Sequence, residues 1–185
     1  MRMGGASAPP LCFLLLLNKK TFYKMGHFDK LEATRISGAY NGGVVLNGGS
    51  DVTLTAEQSG AVCIFDAAGA SSFTLPAPEA GIHFTFITAV TATADHVIKT
   101  KTDDAGFLGG CKTMNTTADQ TNAFSAATDG NNDHITMNGS TTGGLAGSKV
   151  QVWAISDSDA AKCWVADCSL IGTGNTVTPF GDAQL

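Results

Sequence analysis

Four histidines and five cysteines are the side chains in this sequence best equipped for chemistry. The histidines are His27, His83, His96 and His134. None has a second histidine two or four residues on, or a cysteine or glutamate at ligand spacing, so the patterns that hold zinc are missing. His96 follows Asp95 and His134 follows Asp133, each at the exit of a turn. Turn chemistry is the plain account of an Asp at that position. The cysteines are Cys12, Cys63, Cys111, Cys163 and Cys168. Their odd number and irregular spacing make no disulfide framework, and no C-x-x-C pair is present. Cys63 in "AVCIFD" and Cys168 in "WVADCSL" sit in apolar strand contexts. They are expected to be buried free thiols, as suits assembly in a reducing cytoplasm.

Other candidate motifs fail on spacing. "DGNNDHITMNG", from Asp129 to Gly139, is rich in oxygen ligands. It lacks the alternating Asp register and the closing Glu of a calcium loop. "NGGVVLNGGS" has neither the G-x-G-x-x-G order nor a lysine for phosphate. The carboxylates are scattered, and Asp103-Asp104, the one adjacent pair, lies in a polar loop. No apolar setting raises one of them as a general acid. The expectation is therefore a protein that is not an enzyme, with no cofactor and no metal.

Charge separates the chain into two parts. Met1 to Arg35 carries a net charge of +4, whereas Ile36 onward carries −9 and no arginine. An acidic body without clustered Lys and Arg is not expected to bind nucleic acid. Residues 1–24 differ from all that follows. Their apolar run, Leu11 to Leu17, is far shorter than the roughly twenty residues a membrane helix needs. Lys19 and Lys20 follow it with no small-x-small cleavage site, so a secretory signal is poorly formed. Met25 opens an ordinary-looking N-terminus. The expectation is that translation starts there and that residues 1–24 are a non-native extension or disordered.

Residues 25–43 read as an arm. It carries Lys30 and Arg35 beside the apolar Phe28, Leu31, Ile36 and Tyr40. An amphipathic arm on an acidic body is suited to order on contact with a partner. The alternative is that it packs on its own domain.

Residues 44–180 read as one β-domain, followed by a short tail, 181–185. Short apolar alternations are separated by Gly, Asn, Asp and Ser clusters about every eight to twelve residues, the pattern of a sandwich or barrel. Expected strands are Val44–Leu46, Val52–Thr55, Val62–Asp66, Ser72–Leu75, Ile82–Ala89, His96–Thr100, Ala123–Ala127, His134–Asn138, Lys149–Ile155 and Cys163–Leu170. These give an all-β fold: a single sandwich or flattened barrel of about ten antiparallel strands. In "FTLPAPEAGIHFTFITA", Pro76 and Pro78 cannot donate to a ladder and so mark a stiff corner between two strands. Alternation places Val52, Leu54, Val62, Ile64, Phe73, Leu75, Ile82, Phe84 and Phe86 in the core. It adds Ile98, Ile135, Met137, Val150, Val152, Trp164 and Leu170. Trp153 falls on the opposite face of its strand from Val150 and Val152, and is expected under a loop or in a subunit interface.

Four segments together resemble a known family. They are "VTLTAEQSGAVCIFDAAGASSFTLPAPEAGIHFTFI", "DHVIKT", "DGNNDHITMNGSTTGGLAGSKVQVWAI" and "KCWVADCSLIGTGNTVTPF". Similar strings occur in small virion proteins of tailed bacteriophages of the marine and cyanobacterial type, in particular capsid decoration, or cement, proteins. The resemblance runs from Val52 to Phe180 and rests on structural motifs. Asp167 and Cys168 stand where that pattern more often has Gly or Asn. The resemblance implies a virion structural protein on the outside of the capsid, assembled in the host cytoplasm. It implies a homotrimer that bridges neighbouring major capsid subunits, with no nucleic-acid or membrane partner. Low charge, 15% of residues, and abundant small polar residues suit a repeated and largely covered surface. The residues expected to touch the capsid or a neighbouring copy are Phe28, Lys30, Leu31, Arg35, Ile36, Tyr40 and Trp153. A head-fibre or tail-fibre module for host attachment is the alternative reading.

Overall fold

A computed structural model describes residues 43–158 and 162–182. These residues form strands and turns, with one short 3-10 turn at Ala56–Gln58 and no α-helix. The strands are β1 (Val44–Leu46), β2 (Val52–Thr53), β3 (Val62–Phe65), β4 (Ser71–Thr74), β5 (His83–Thr88) and β6 (His96–Lys99). They continue as β7 (Phe107–Asn115), β8 (Gln120–Ser125), β9 (His134–Met137), β10 (Lys149–Ala154), β11 (Trp164–Gly172) and β12 (Phe180–Gly181). The strands make a seven-stranded sheet, β1-β3-β5-β10-β11-β7-β8, and a five-stranded sheet, β12-β9-β6-β4-β2.

Both sheets are mixed, which corrects the expectation of antiparallel pairing throughout. From β1 to β6 the chain alternates between the sheets, so that each strand meets the next but one in parallel. Thus β1, β3 and β5 pair in parallel in one sheet, and β2, β4 and β6 in the other. The β7–β11 pair is also parallel. Hairpin geometry, antiparallel by construction, is confined to partners such as β7–β8 and β10–β11.

The proline corner shows how the winding is enforced. Leu75 still donates to the Lys99 carbonyl, at 2.8 Å. Pro76 and Pro78 follow and have no N–H to extend the ladder. The chain turns through Glu79 to Ile82, whose N–H bonds the Glu79 carbonyl at 3.1 Å, with Gly81 at φ 96°. It then enters β5 in the opposite sheet. The prolines therefore redirect the chain across the core rather than closing a hairpin.

The two sheets share one apolar core. Phe84, Phe86, Val150, Val152, Trp164 and Leu170 from the larger sheet and its flanks meet Phe73, Leu75, Ile98, Ile135 and Met137. Contact across the sheets is direct: the Phe73 and Phe86 rings lie 5.4 Å apart, and Phe65 meets Phe73 edge-on at 5.0 Å. Leu54 and Ile82 are buried as expected.

Three expected core positions need correction. In β3, Cys63 and Phe65 are fully buried, and Val62 and Ile64 are only half-buried. Both faces of that strand are apolar, so alternation cannot say which turns inward. The bulky Phe65 occupies the core, and Val62 and Ile64 take the other face between β1 and β5. Val52 is partly buried because β2 is the edge of its sheet.

Candidate functional site

The face of the seven-stranded sheet turned away from the core gathers the one expected contact residue within the described structure, Trp153. Residues paired across a sheet project to the same face. Register therefore places Trp153 in a row with His83, Val165 and Leu108. The next row along the strands runs Val44, Val62, Thr85, Gln151, Asp167 and Gly110. The one after runs Leu46, Ile64, Ile87, Lys149, Ser169 and Lys112.

Apolar groups hold the β1 edge of this face and the row through Trp153. Val44 and Leu46 on the edge strand are 64% and 57% exposed. Val62, Ile64 and Ile87 beside them are half-buried, as are Trp153, Val165 and Leu108. The charges, Lys149, Asp167 and Lys112, lie on β10, β11 and β7, in the rows beside that of Trp153, Val165 and Leu108. A broad sheet face of β-branched and aromatic side chains with a sparse set of opposite charges can bind another protein surface by shape and area. Trp153 is the largest side chain on it.

The arm residues expected to act with it, Phe28, Lys30, Leu31, Arg35, Ile36 and Tyr40, lie outside the described residues, as does the whole of residues 1–24. The exposed edge residues Val44 and Leu46 went unnoticed in the sequence. Their signal is the parallel register with Val62 and Ile64, which no local pattern reveals.

Two of the chemically capable side chains, His96 and Asp133, are packed into the fold. His96 is fully buried, lies flat on Phe65 with ring centroids 4.5 Å apart, and bonds the Ala67 carbonyl through Nε2 at 2.9 Å. Burial pushes its pKa below the usual histidine range, against the opposing effect of that carbonyl. Asp133 is fully buried and its carboxylate meets His134 Nδ1 at 2.6 Å. The Asp133 backbone ties three strands: its carbonyl accepts from Thr100 at 2.9 Å, and its N–H donates to the Gly181 carbonyl at 3.0 Å. His83 is exposed, with Nδ1 3.2 Å from the Gly81 carbonyl.

The "DGNNDHITMNG" stretch spends its oxygens on turns. Asn132 Oδ1 accepts from the Ala127 N–H at 2.6 Å, and Asn138 Oδ1 accepts from Ser140 and Thr142 N–H at 2.9 and 3.2 Å. Among the described residues no group of three or more His, Cys, Asp or Glu side chains is placed to hold a metal ion. Among the described residues, two shallow concavities of about 390 Å³ each indent the surface. One is lined by Cys111, Lys112, Phe124 and Asp167, the other by Asp51, Ser72, Asp95 and Lys99. In the second, the Ser72 hydroxyl donates to Asp51 at 2.8 Å. Among the described residues no helix is long and apolar enough to cross a membrane.

No protein-family model, curated protein or solved structure matches this chain.

Proposed function

We propose that this chain is a non-enzymatic virion structural protein of a tailed bacteriophage. It binds the outside of the capsid and stabilises contacts between major capsid subunits. The observation that carries the reading is the outer face of the seven-stranded sheet, where Trp153, Val165 and Leu108 share one row and Val44, Leu46, Val62, Ile64 and Ile87 cluster at the edge. The likeness of Val52 to Phe180 to capsid decoration proteins supplies the partner. Multivalent attachment on a lattice suits such a face, because many copies of a modest contact sum to strong retention. The amphipathic arm, Gly26 to Tyr40, provides a second contact to the capsid or to a neighbouring copy in a homotrimer.

Copy number in purified virions tests this reading. Hundreds of copies per particle, lost when Trp153 is replaced, support capsid decoration. A few copies at one vertex or on the tail would instead make the chain a fibre module for host attachment. Absence from the virion would overturn both.

A further inference from the structure

Two of the four described cysteines face each other. Strands β7 and β11 run parallel, and Cys111 is the direct register partner of Cys168. Both are buried, at 3% and 1% exposure. Directly paired residues on neighbouring strands have Cα atoms about 4.8 Å apart, inside the range of roughly 4.4–6.8 Å that a disulfide spans. The Thr113 hydroxyl lies 3.5 Å from Cys111 Sγ. The other two thiols are placed differently: Cys63 pairs in register with Val45 and Phe86, and the Cys163 thiol points at the Gly106 carbonyl.

We propose that Cys111 and Cys168 form an oxidisable dithiol that a small hydroperoxide converts to a cross-strand disulfide. Cys111 is the attacking sulfur. It lines the surface concavity between β7, β8 and β11, which gives a small oxidant a route to it. The neighbouring Cys168 thiol and the Thr113 hydroxyl favour its thiolate against the cost of burial, while the proximity of Cys111 and burial hold the Cys168 pKa up. In the first step the Cys111 thiolate attacks hydrogen peroxide. An S–O bond forms, the O–O bond breaks, and the departing hydroxide takes a proton to leave as water. Cys111 is then a sulfenic acid. In the second step Cys168 sulfur attacks Cys111 Sγ, the S–O bond breaks, and hydroxide leaves with the Cys168 proton as a second water. Two thiols are oxidised and one peroxide is reduced to two waters. This inference stands on the geometry of the pair and does not depend on the capsid reading.

The test treats the reduced full-length chain with hydrogen peroxide and removes the oxidant with catalase. The protein is then unfolded in N-ethylmaleimide and its peptides mapped by mass spectrometry. The expected result is loss of two of the five thiols, a bridge joining the Cys111 and Cys168 peptides, and its disappearance with dithiothreitol. Alkylation of all five cysteines, a bridge through Cys63 or Cys163, or over-oxidation of Cys111 without a bridge would overturn the proposal. The folded Cys168→Ala variant, trapped with dimedone, should label at Cys111. Labelling elsewhere would overturn its role as the attacking sulfur. The wild-type map decides the bridge whether or not the variant folds.

Discussion

Phe65 and His96 lie face to face, their ring planes 6° from parallel and their centroids 4.5 Å apart. Phe65 ends β3 in one sheet and His96 begins β6 in the other, so the stack joins the two sheets. It seals one end of the core with an imidazole that has no exposure to water. Burial favours the neutral ring, and its pKa in the folded protein lies below the unfolded value of 6.5. The unfolded chain therefore binds more protons as the solution is acidified. The stability held by neutral His96 is complete above about pH 6.5 and falls as pH drops below it toward the folded pKa. Urea midpoints measured from pH 7.5 down to pH 5 should decline. The decline should be shallower in a His96→Gln variant; an equal slope in both would remove His96 as its source.

Strand β3 offers a direct check on which face is the core. Phe65 is fully buried, and Ile64 beside it is half-buried on the opposite face. Phe65→Ala should cost about 3–5 kcal/mol through lost transfer energy and a cavity. Ile64→Ala should cost clearly less, because that side chain keeps part of its surface in water in the folded state. Denaturant unfolding of the two variants reads the difference. Equal losses would mean that the face of Ile64 is as closed as that of Phe65.

The turn after β9 depends on one glycine for two reasons. Gly139 has φ +75°, and a Cβ there would stand 1.8 Å from the Ala92 carbonyl oxygen. Gly48 has a similar φ of +58° but open space around it. Gly48→Ala should therefore cost only the backbone strain of a left-handed residue, about 1–2 kcal/mol. Gly139→Ala must also displace backbone, and should cost more than that. Thermal melts of the pair separate strain from collision.

Strict alternation made β5 and β10 legible, since Phe84 with Phe86 and Val150 with Val152 leave no choice of core face. The same rule does not decide β3, where Val62 and Ile64 compete with Cys63 and Phe65. Strand β7 escapes notice because Gly109 and Gly110 interrupt it and Lys112 and Asn115 dilute its pattern. Its signal is the inward series Phe107, Cys111, Thr113 and Asn115, all buried. Strand β12 is two residues long and carries no periodicity. Parallel pairing is invisible at this level altogether. Side chains alternate alike in parallel and antiparallel strands, and only the partner decides. The same blindness hides the outer face. Its rows are assembled from strands far apart in sequence, so Trp153 could be read as outward but not as the neighbour of Val165, Leu108 and His83.

Trp153 should matter to attachment and little to folding. It is half-buried on the outer face, in register with His83 on one side and Val165 on the other. Trp164, on the adjoining strand, is fully buried in the core. Truncating a core tryptophan costs about 3–5 kcal/mol, whereas an anchor at a protein interface can lose 2 kcal/mol or more, roughly thirty-fold in affinity, from binding alone. Trp153→Ala is therefore expected to leave the unfolding free energy within about 1 kcal/mol of the wild type and to reduce retention on capsids stripped of the native protein. Trp164→Ala is expected to lower the midpoint strongly. Unfolding curves and capsid co-sedimentation on the same two variants provide the measurement. Should Trp153→Ala bind capsids as the wild type does, the outer face near Trp153 is not the attachment surface. Should it unfold the domain as Trp164→Ala does, Trp153 serves the fold instead.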